Sequence, residues 1–239
     1  MKNNQIKLIE QQVVKFRQKV GLSNTEAINL KSLLLKLGVI TVFRPLSDNF
    51  SGMSLKDTSN HRFMLINCNQ PKGRQHFTIA HELYHLFIED NPKPHKCLTD
   101  NGTKNFIEQQ ADMFASILLM PEDGIIQLLP QHELTGGEVS LATILKLEHY
   151  FSVSRRALLN RLNNLSLITK SEKESYFQRP VQQTAREYGY DTALYNPGNK
   201  NLIIGDFGEK ARNLFDNGNI SEGHYLEFLN KLDYGTDKD

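Results

Sequence analysis

The sequence predicts an α+β protein with a small antiparallel β-meander set between helices and a mainly helical C-terminal half. Apolar residues at helical spacing open the chain, three short β-branched or aromatic runs follow, and helical patterns then resume. The strands are grouped and do not alternate with helices. This order favours α+β over a parallel α/β sheet.

The first predicted elements are two helices and a strand. The N-terminal helix carries an apolar face formed by Ile9, Val13, Val14, Phe16 and Val20. A second helix is predicted after a cap at Ser23 or Asn24, and it ends at Leu37, where Gly38 stops it. The run VITVF, residues 39–43, is typical of a strand.

Two further strands form a predicted hairpin, followed by two helices. The strands are FSGMSL, residues 50–55, and HRFMLINC, residues 61–68, with KDTSN as the turn between them. QPKG, residues 70–73, precedes a helix that the prolines of NPKPHK, residues 91–96, terminate. The next helix covers about residues 104–119 and stops before a proline.

The rest of the chain is predicted to be mainly helical. A short helix extends to about Leu129, and residues 140–168 form two close helices with the pattern of a helix-turn-helix. A hydrophilic stretch, residues 170–183, leads to a strand-like NLIIG and two more short helices. These changes of character predict three units: residues 1–135, 136–169 and 170–239.

Composition and charge exclude several classes of protein. The net charge is +1 over 239 residues, which gives no argument for a nucleic-acid coat or a membrane-surface role. No apolar run approaches the roughly 20 residues of a membrane span, and the N-terminus is too polar for a signal peptide. Two cysteines, Cys68 and Cys97, without a CxxC motif favour the reducing cytoplasm.

The segment HFTIAHELYHLFIED, residues 76–90, carries the strongest chemical signal. His81 and His85 are four residues apart, so on a helix they can bind one metal ion from the same side. Glu82 lies about 100° around the helix from His81, beside the ion, where a general base must stand. The alternative is an incidental polar face.

The distribution of the other residues around this helix favours the metal site. Apolar side chains fill the wide remainder of the helical wheel. One polar sector contains Thr78, His81, Glu82, His85 and Glu89. A solvated face would usually carry lysine or glutamine, and this sector has neither.

A third ligand is predicted in EQQADMFASILLMP, residues 108–121, because catalytic zinc has three protein ligands and an open position. Glu108 would bind zinc, and Asp112, on the same helix face, would accept a hydrogen bond from a ligand histidine. Ala111 and Ala115 would let the two helices approach closely. The alternative is an amphipathic helix whose polar face happens to hold two acids.

The two segments RQHFTIAHELYH and EQQADMFASILLMP together resemble the ImmA/IrrE family of metallopeptidases, which carries RFTLAHELGH and then ExxAxxFAxxLLMP. The likeness includes LGVITVF and the hairpin that ends in INCN, and it spans about residues 25–165. It implies a thermolysin-like zincin core with Zn²⁺ bound by His81, His85 and Glu108 and with Glu82 as the base. Tyr84, where the family often has glycine, narrows the cleft or simply packs.

The resemblance also implies a substrate, a helix-turn-helix repressor whose cleavage relieves repression of a mobile element or a stress regulon. Glu82 would accept the proton of the attacking water and pass it to the leaving amine. An additional oxyanion donor is expected, and the sequence does not choose among its candidates. These are His76, Tyr84, His132, His149 and Tyr150.

Two other classes of function stay open at this point. A zinc-fold module could bind and sequester the repressor without cutting it, although the intact Glu82 argues against that. A DNA-binding regulator could act through residues 140–168, where Arg155, Arg156 and Arg161 would give the second helix a basic flank. The near-neutral charge of the chain argues against direct DNA binding.

Weaker signals complete the sequence analysis. Cys97, which follows His95 closely, would bind zinc or act as a redox trigger, but a loop cysteine usually does neither. The strand at residues 61–68 is either a sheet edge that an extended substrate joins or an ordinary core strand. Aromatic residues near Arg186 include Tyr188, Tyr190 and Tyr195, and such residues are usually structural.

Overall fold

The computed structural model describes residues 3–90, 97–98 and 105–232. The α-helices that precede the C-terminal segment are α1 (Asn3–Lys19), α2 (Leu30–Lys36), α3 (Lys72–Phe87), α4 (Phe106–Leu119), α5 (Glu122–Leu128), α6 (Gln131–Leu134), α7 (Leu141–Phe151) and α8 (Arg155–Asn164). The C-terminal helices are α9 (Lys170–Phe177), α10 (Val181–Glu187), a 3-10 turn (Ala193–Tyr195), α11 (Phe207–Asp216) and α12 (Glu222–Leu232). The strands are β1 (Val39–Arg44), β2 (Phe50–Lys56), β3 (Arg62–Asn67), β4 (Cys97–Leu98) and β5 (Ile203–Ile204).

The α+β class is confirmed, but the sheet is mixed where an antiparallel meander was predicted. Its strand order is β4-β2-β3-β1-β5. β2 and β3 form the predicted antiparallel hairpin, whereas β1 pairs with β3 in parallel. The five residues after β1 therefore cross the end of β3. The Asn67 side chain fixes this crossing, because its Oδ1 accepts from the Leu46 N–H at 3.1 Å and its Nδ2 donates to the Phe50 carbonyl at 2.7 Å.

This topology makes β3 a central strand, so the interpretation of residues 61–68 as a free sheet edge is wrong. β1 and β2 cover β3 on both sides, and its backbone groups are used within the sheet. β4 pairs antiparallel with β2 at one edge, and β5 pairs antiparallel with β1 at the other. The predicted strand in NLIIG is thus β5, and it completes the sheet.

The second helix begins later than predicted, after Asn29 instead of the Ser23–Asn24 cap. Arg17, which is fully buried, explains the delay. Its guanidinium donates to the carbonyls of Ser23 at 2.6 Å and Glu26 at 2.5 Å. Those carbonyls are therefore engaged by a side chain and do not begin a helical ladder. Gly38, with φ at +63°, stops α2 as predicted.

Helix α3 packs between the sheet and α4, and this packing positions the site. Its buried Ile79 and Leu83 contribute to a continuous apolar core, in which each such side chain is worth about 1.5–3 kcal/mol. Ala111 and Ala115 of α4 are completely buried, so their small side chains let α4 approach α3 closely. The α3 helix ends at Phe87. Its predicted stop at residues 91–96 and the start of the next helix at residue 104 lie outside the described residues.

The two close helices predicted over residues 140–168 are α7 and α8. Ser152, with φ at +53°, ends α7, and the Ser154 side chain caps α8 by accepting from the Ala157 N–H. Gly73 lets α3 begin directly against this turn, because a Cβ there would lie 2.7 Å from the Ser154 nitrogen. The starts of α3 and α8 are therefore neighbours.

The C-terminal segment lies against the earlier elements. Gln75 Nε2 of α3 donates to the Gly198 carbonyl at 3.0 Å, and Tyr195 donates to Glu148 of α7 at 2.6 Å. Tyr190 stacks on His149 with ring centroids 4.5 Å apart. The division into three units stays a prediction. Among the described residues, no helix has the length and apolar character that crossing a membrane requires.

Candidate metal centre and active-site cleft

Helix α3 presents His81 and His85 on one face, as their spacing predicts. Their Nε2 atoms are 3.2 Å apart, and the two side chains are only 1% and 2% exposed. Ile79 and Leu83 turn towards the core on the opposite side. The period of 3.6 residues thus separates the polar donors from the packing surface.

Glu108 of α4 closes the centre from the neighbouring helix. Its Oε2 lies 3.2 Å from Nε2 of His81, and its Oε1 lies 3.6 Å from Nε2 of His85. One ligand atom from each of the three residues lies within 4.8 Å of the other two. A tetrahedral ion with metal–ligand bonds of about 2.0–2.1 Å holds its ligand atoms about 3.3 Å apart. The donor set and its spacing therefore fit zinc.

Each histidine has a carboxylate at its other ring nitrogen. Asp112 Oδ1 lies 3.0 Å from Nδ1 of His81, in the contact that the sequence predicts. Glu89 Oε2 lies 2.5 Å from Nδ1 of His85, a contact that the sequence analysis missed although the two residues are four apart on the chain. A carboxylate at Nδ1 fixes the tautomer in which Nε2 carries the lone pair.

The charge of the centre favours a bound cation. Burial, the largest influence, lowers the pKa of His81, but hydrogen bonds with Asp112, Cys97 and Glu108 outweigh it and hold the pKa well above its ordinary value. Acceptors thus surround this imidazole on both of its nitrogens. A positive charge at the centre, whether a proton or a metal ion, relieves the repulsion between them.

Glu82 is completely buried beside the two histidines. Ser54 of β2 donates to its Oε2 at 2.6 Å, so the sheet orients this carboxylate. Cys97 of β4 is also buried, and ligand atoms of His81, Glu82 and Cys97 lie within 4.8 Å of one another. No local pattern predicts Ser54, which meets the site through the sheet, and the weak expectation for Cys97 rested on a loop position where the structure has β4. His95 lies outside the described residues.

A cleft of about 1030 Å³ opens beside the centre. It is bounded by α1, α3, α4 and α8, together with Ser51 of β2 and Cys97 of β4. His81 and Asp112 of the centre reach its surface. Its apolar lining includes Ile6, Phe77, Met113, Ala157 and Leu165, and its charged lining comprises Glu10, Arg74, Asp112, Arg156 and Arg161. The metal centre is thus accessible from a groove of peptide dimensions.

The predicted oxyanion candidates are not part of this lining. His76 hydrogen-bonds the Ser152 carbonyl at 2.7 Å, and His149 packs on Tyr190. Tyr84 is buried and donates to Gln110 at 3.2 Å, so it packs and does not narrow the cleft. None of the five candidates, which also include His132 and Tyr150, lines the cleft.

The predicted basic flank of α8 is wrong for two of its three arginines. Arg155 is buried in an ion pair with Glu148, and Arg161 is buried with its Nε donating to the Met120 carbonyl at 3.1 Å. Arg156 alone of the three is exposed, and it lines the cleft. Tertiary packing requires the two buried guanidiniums, so they do not form a surface for DNA.

A mixed fold that brings two histidines and a glutamate together on adjacent helices is the arrangement of a metallopeptidase domain. Comparison with known families agrees with this class. The model described as the IrrE N-terminal-like domain (Peptidase_M78) matches residues 35–163, more than half of the chain. The chain therefore belongs to this metallopeptidase family, and the resemblance drawn from its motifs is confirmed. No curated protein matches the chain.

Proposed function

We propose that the protein is a zinc-dependent endopeptidase of restricted specificity. His81, His85 and Glu108 would hold the zinc ion, and Glu82 would be the general base. The observation that supports this best is the convergence of three ligand atoms within 4.8 Å beside a buried glutamate. Asp112 and Glu89 complete the proposal by holding the two imidazoles through Nδ1.

Each residue has a distinct task in peptide hydrolysis. Zinc, when bound, activates water and polarises the scissile carbonyl. Glu82 takes the proton of the attacking water and passes it to the leaving amine. Ser54, through its 2.6 Å hydrogen bond, holds the Glu82 carboxylate in one orientation during this transfer. Burial of the centre excludes bulk water, which strengthens these interactions.

The substrate that we propose is a helix-turn-helix transcriptional repressor, whose cleavage would relieve repression of a mobile element or a stress regulon. This rests on the family, and the cleft of about 1030 Å³ supports it by offering room for an extended segment of protein. We place the activity in the cytoplasm. Cys68 and Cys97 are both free thiols, as a reducing compartment would keep them.

The decisive experiment measures the intact mass of a neighbouring helix-turn-helix repressor after incubation with this protein and zinc. Wild type is compared with Glu82→Gln, which keeps the shape of the side chain and removes the base. We expect two repressor fragments with wild type and a rate about 10²–10⁴-fold lower with Glu82→Gln. Glu174→Gln, at an exposed position of α9 outside the cleft, is the matched control and should cut normally.

Each other result identifies a different function. An intact repressor that forms a stable complex with both zinc-loaded proteins would replace the proposal with sequestration. Steep salt-dependent binding to duplex DNA that is indifferent to chelators would favour a DNA-binding regulator. The two buried arginines of α8 weigh against that last result.

A further inference from the structure

Two guanidinium groups, those of Arg74 and Arg156, line the cleft near the metal centre. Arg74 is in the first turn of α3, and Arg156 is in the first turn of α8. The two helices begin side by side because Gly73 lies directly against the Ser154 backbone. The fold therefore brings together two cations from different parts of the chain.

These two charges are not neutralised within the described part of the protein. Neither guanidinium has an ion pair with a carboxylate among the described residues. Burial lowers the pKa of Arg74. Cys97 opposes this effect, and the positive charge of Arg156 adds to it. The other cleft arginine differs, because burial lowers the pKa of Arg161 but the negative charges of Glu122 and Glu10 oppose this effect.

The position of Arg74 relative to His81 gives the distance between Arg74 and the metal centre along α3. Arg74, Thr78 and His81 have the spacing of one helix face, and all three line the cleft. Seven residues of helix extend about 10.5 Å. An extended peptide advances about 3.3–3.4 Å per residue, so this distance corresponds to about three residues of substrate.

We propose that Arg74 and Arg156 bind an aspartate or glutamate side chain of the peptide substrate, about three residues from the scissile bond. This inference rests on the proposed function and names the substrate feature that the site selects. Paired guanidiniums form charge-assisted hydrogen bonds with a carboxylate. A continuous polyanion such as DNA fits less well, because Glu10 and Asp112 on the other cleft walls would repel it.

The test uses a library of randomised decapeptides with blocked ends, which removes terminal carboxylates as ligands. In a binding experiment, zinc-loaded Glu82→Gln captures peptides that are then sequenced by mass spectrometry. In a cleavage experiment, wild type cuts the same library and the products locate each cut. We expect Asp and Glu to be enriched among the captured peptides and at about three residues from the cut.

The variant for this test reverses the charges of both arginines. Arg74→Glu combined with Arg156→Glu should abolish the acidic preference and introduce a preference for Lys or Arg. For an acidic peptide, kcat/KM should fall about 10- to 100-fold. Lys19→Glu combined with Lys170→Glu makes the same change of charge at exposed positions outside the cleft. This control should change neither the acidic preference nor kcat/KM for the acidic peptide. The milder pair Arg74→Gln and Arg156→Gln, with zinc content measured per chain, controls for folding.

The outcomes separate this inference from the proposed function. Acidic enrichment without any cleavage would support the Arg74–Arg156 site and overturn the protease. Cleavage without acidic preference, unchanged by charge reversal, would overturn the site and leave the protease intact. A library with free C-termini that binds only through its terminal carboxylate would also overturn the assignment to a side chain. If charge reversal abolished binding to duplex DNA and no acidic peptides were enriched, Arg74 and Arg156 would bind phosphate groups, and the assignment to a peptide carboxylate would be overturned.

Discussion

Helices α3 and α8 begin side by side and both bury polar side chains, yet they bury them in opposite ways. On α8, Arg155 pairs with Glu148 and Arg161 bonds to the Met120 carbonyl, so each cation has its own partner. On α3, His81 and His85 face one another at 3.2 Å. The Glu108 carboxylate lies beside both Nε2 atoms, so the three groups converge on one point, while Asp112 and Glu89 hold the two rings through Nδ1.

Buried polar side chains can either stabilise the packing of the fold or form a binding site, and these two helices show how the two cases differ. A buried polar group without a partner costs several kcal/mol, so both helices must compensate the burial. The two buried cations of α8 each bond to a different group, which fixes the packing at two separate points. The donors of α3 and α4 share one centre, where a metal ion completes them. Convergence, more than burial, marks the functional helix.

The largest expected effect comes from removing the buried ion pair of α8. Arg155→Ala leaves Glu148 as an uncompensated buried charge and should lower the free energy of unfolding by about 3–5 kcal/mol. Urea denaturation of the metal-free protein measures it. Arg156→Ala, the exposed neighbour, should change the value by less than about 0.5 kcal/mol. Equal effects of the two variants would show that the ion pair does not set the stability of α8.

The second prediction removes one proposed ligand of the metal centre. Glu108→Ala should weaken zinc binding about 10²- to 10³-fold, the share of one ligand among four in a total of about 10–16 kcal/mol. Competition with a chromophoric chelator measures it. Stability of the metal-free protein should hardly change, because the Glu108 side chain is 21% exposed. Unchanged zinc affinity would remove Glu108 from the ligand set.

The third prediction compares the two carboxylates behind the histidines. Asp112→Asn and Glu89→Gln should each reduce zinc affinity about 10- to 100-fold, since each removes the negative partner of an imidazole. Glu89→Gln should have the larger effect, because its contact is shorter and the side chain is 15% exposed against 33% for Asp112. The same chelator titration ranks them, and the reverse order would contradict this use of burial.

The smallest effect is a pH dependence where the two helices meet. Burial lowers the pKa of His76 below its ordinary 6.5, and the hydrogen bond with the Ser152 carbonyl opposes this only in part. A lowered pKa in the folded state stabilises the protein fully above pH 6.5, and this contribution is lost as the pH falls below that value. Thermal melts of metal-free wild type and His76→Gln should therefore converge between pH 7 and pH 5. Parallel curves would contradict the assignment.

The site was predictable wherever its geometry is local. His81, Glu82 and His85 are placed by the 3.6-residue period of one helix, and Glu108 and Asp112 by the same period of another. The end of α4 at Leu119 followed from Pro121. Glu89 could have been found by the same rule, four residues after His85. These features depend on residues a few positions apart, which the sequence displays directly.

Other features of the site depend on residues far apart in the chain. Ser54 reaches Glu82 across 28 residues, and Cys97 meets the site through β4. The arginines of α8 carry no local signal that buries Arg155 and Arg161 and leaves Arg156 exposed. A basic residue on a helix is ordinarily exposed, and contacts with distant groups such as Glu148 and the Met120 carbonyl make the burial of Arg155 and Arg161 favourable.

By itself, the sequence determined the α+β class, the order of the elements and the metal-ligand pattern, because propensity and periodicity act over a few residues. The tertiary structure decided the parallel pairing of β1 with β3, the late start of α2 and the paired cations of the cleft. Asn67, Arg17 and Gly73 control these three features. Each acts through a contact between separated segments, and the energy of such a contact exists only once the chain has folded.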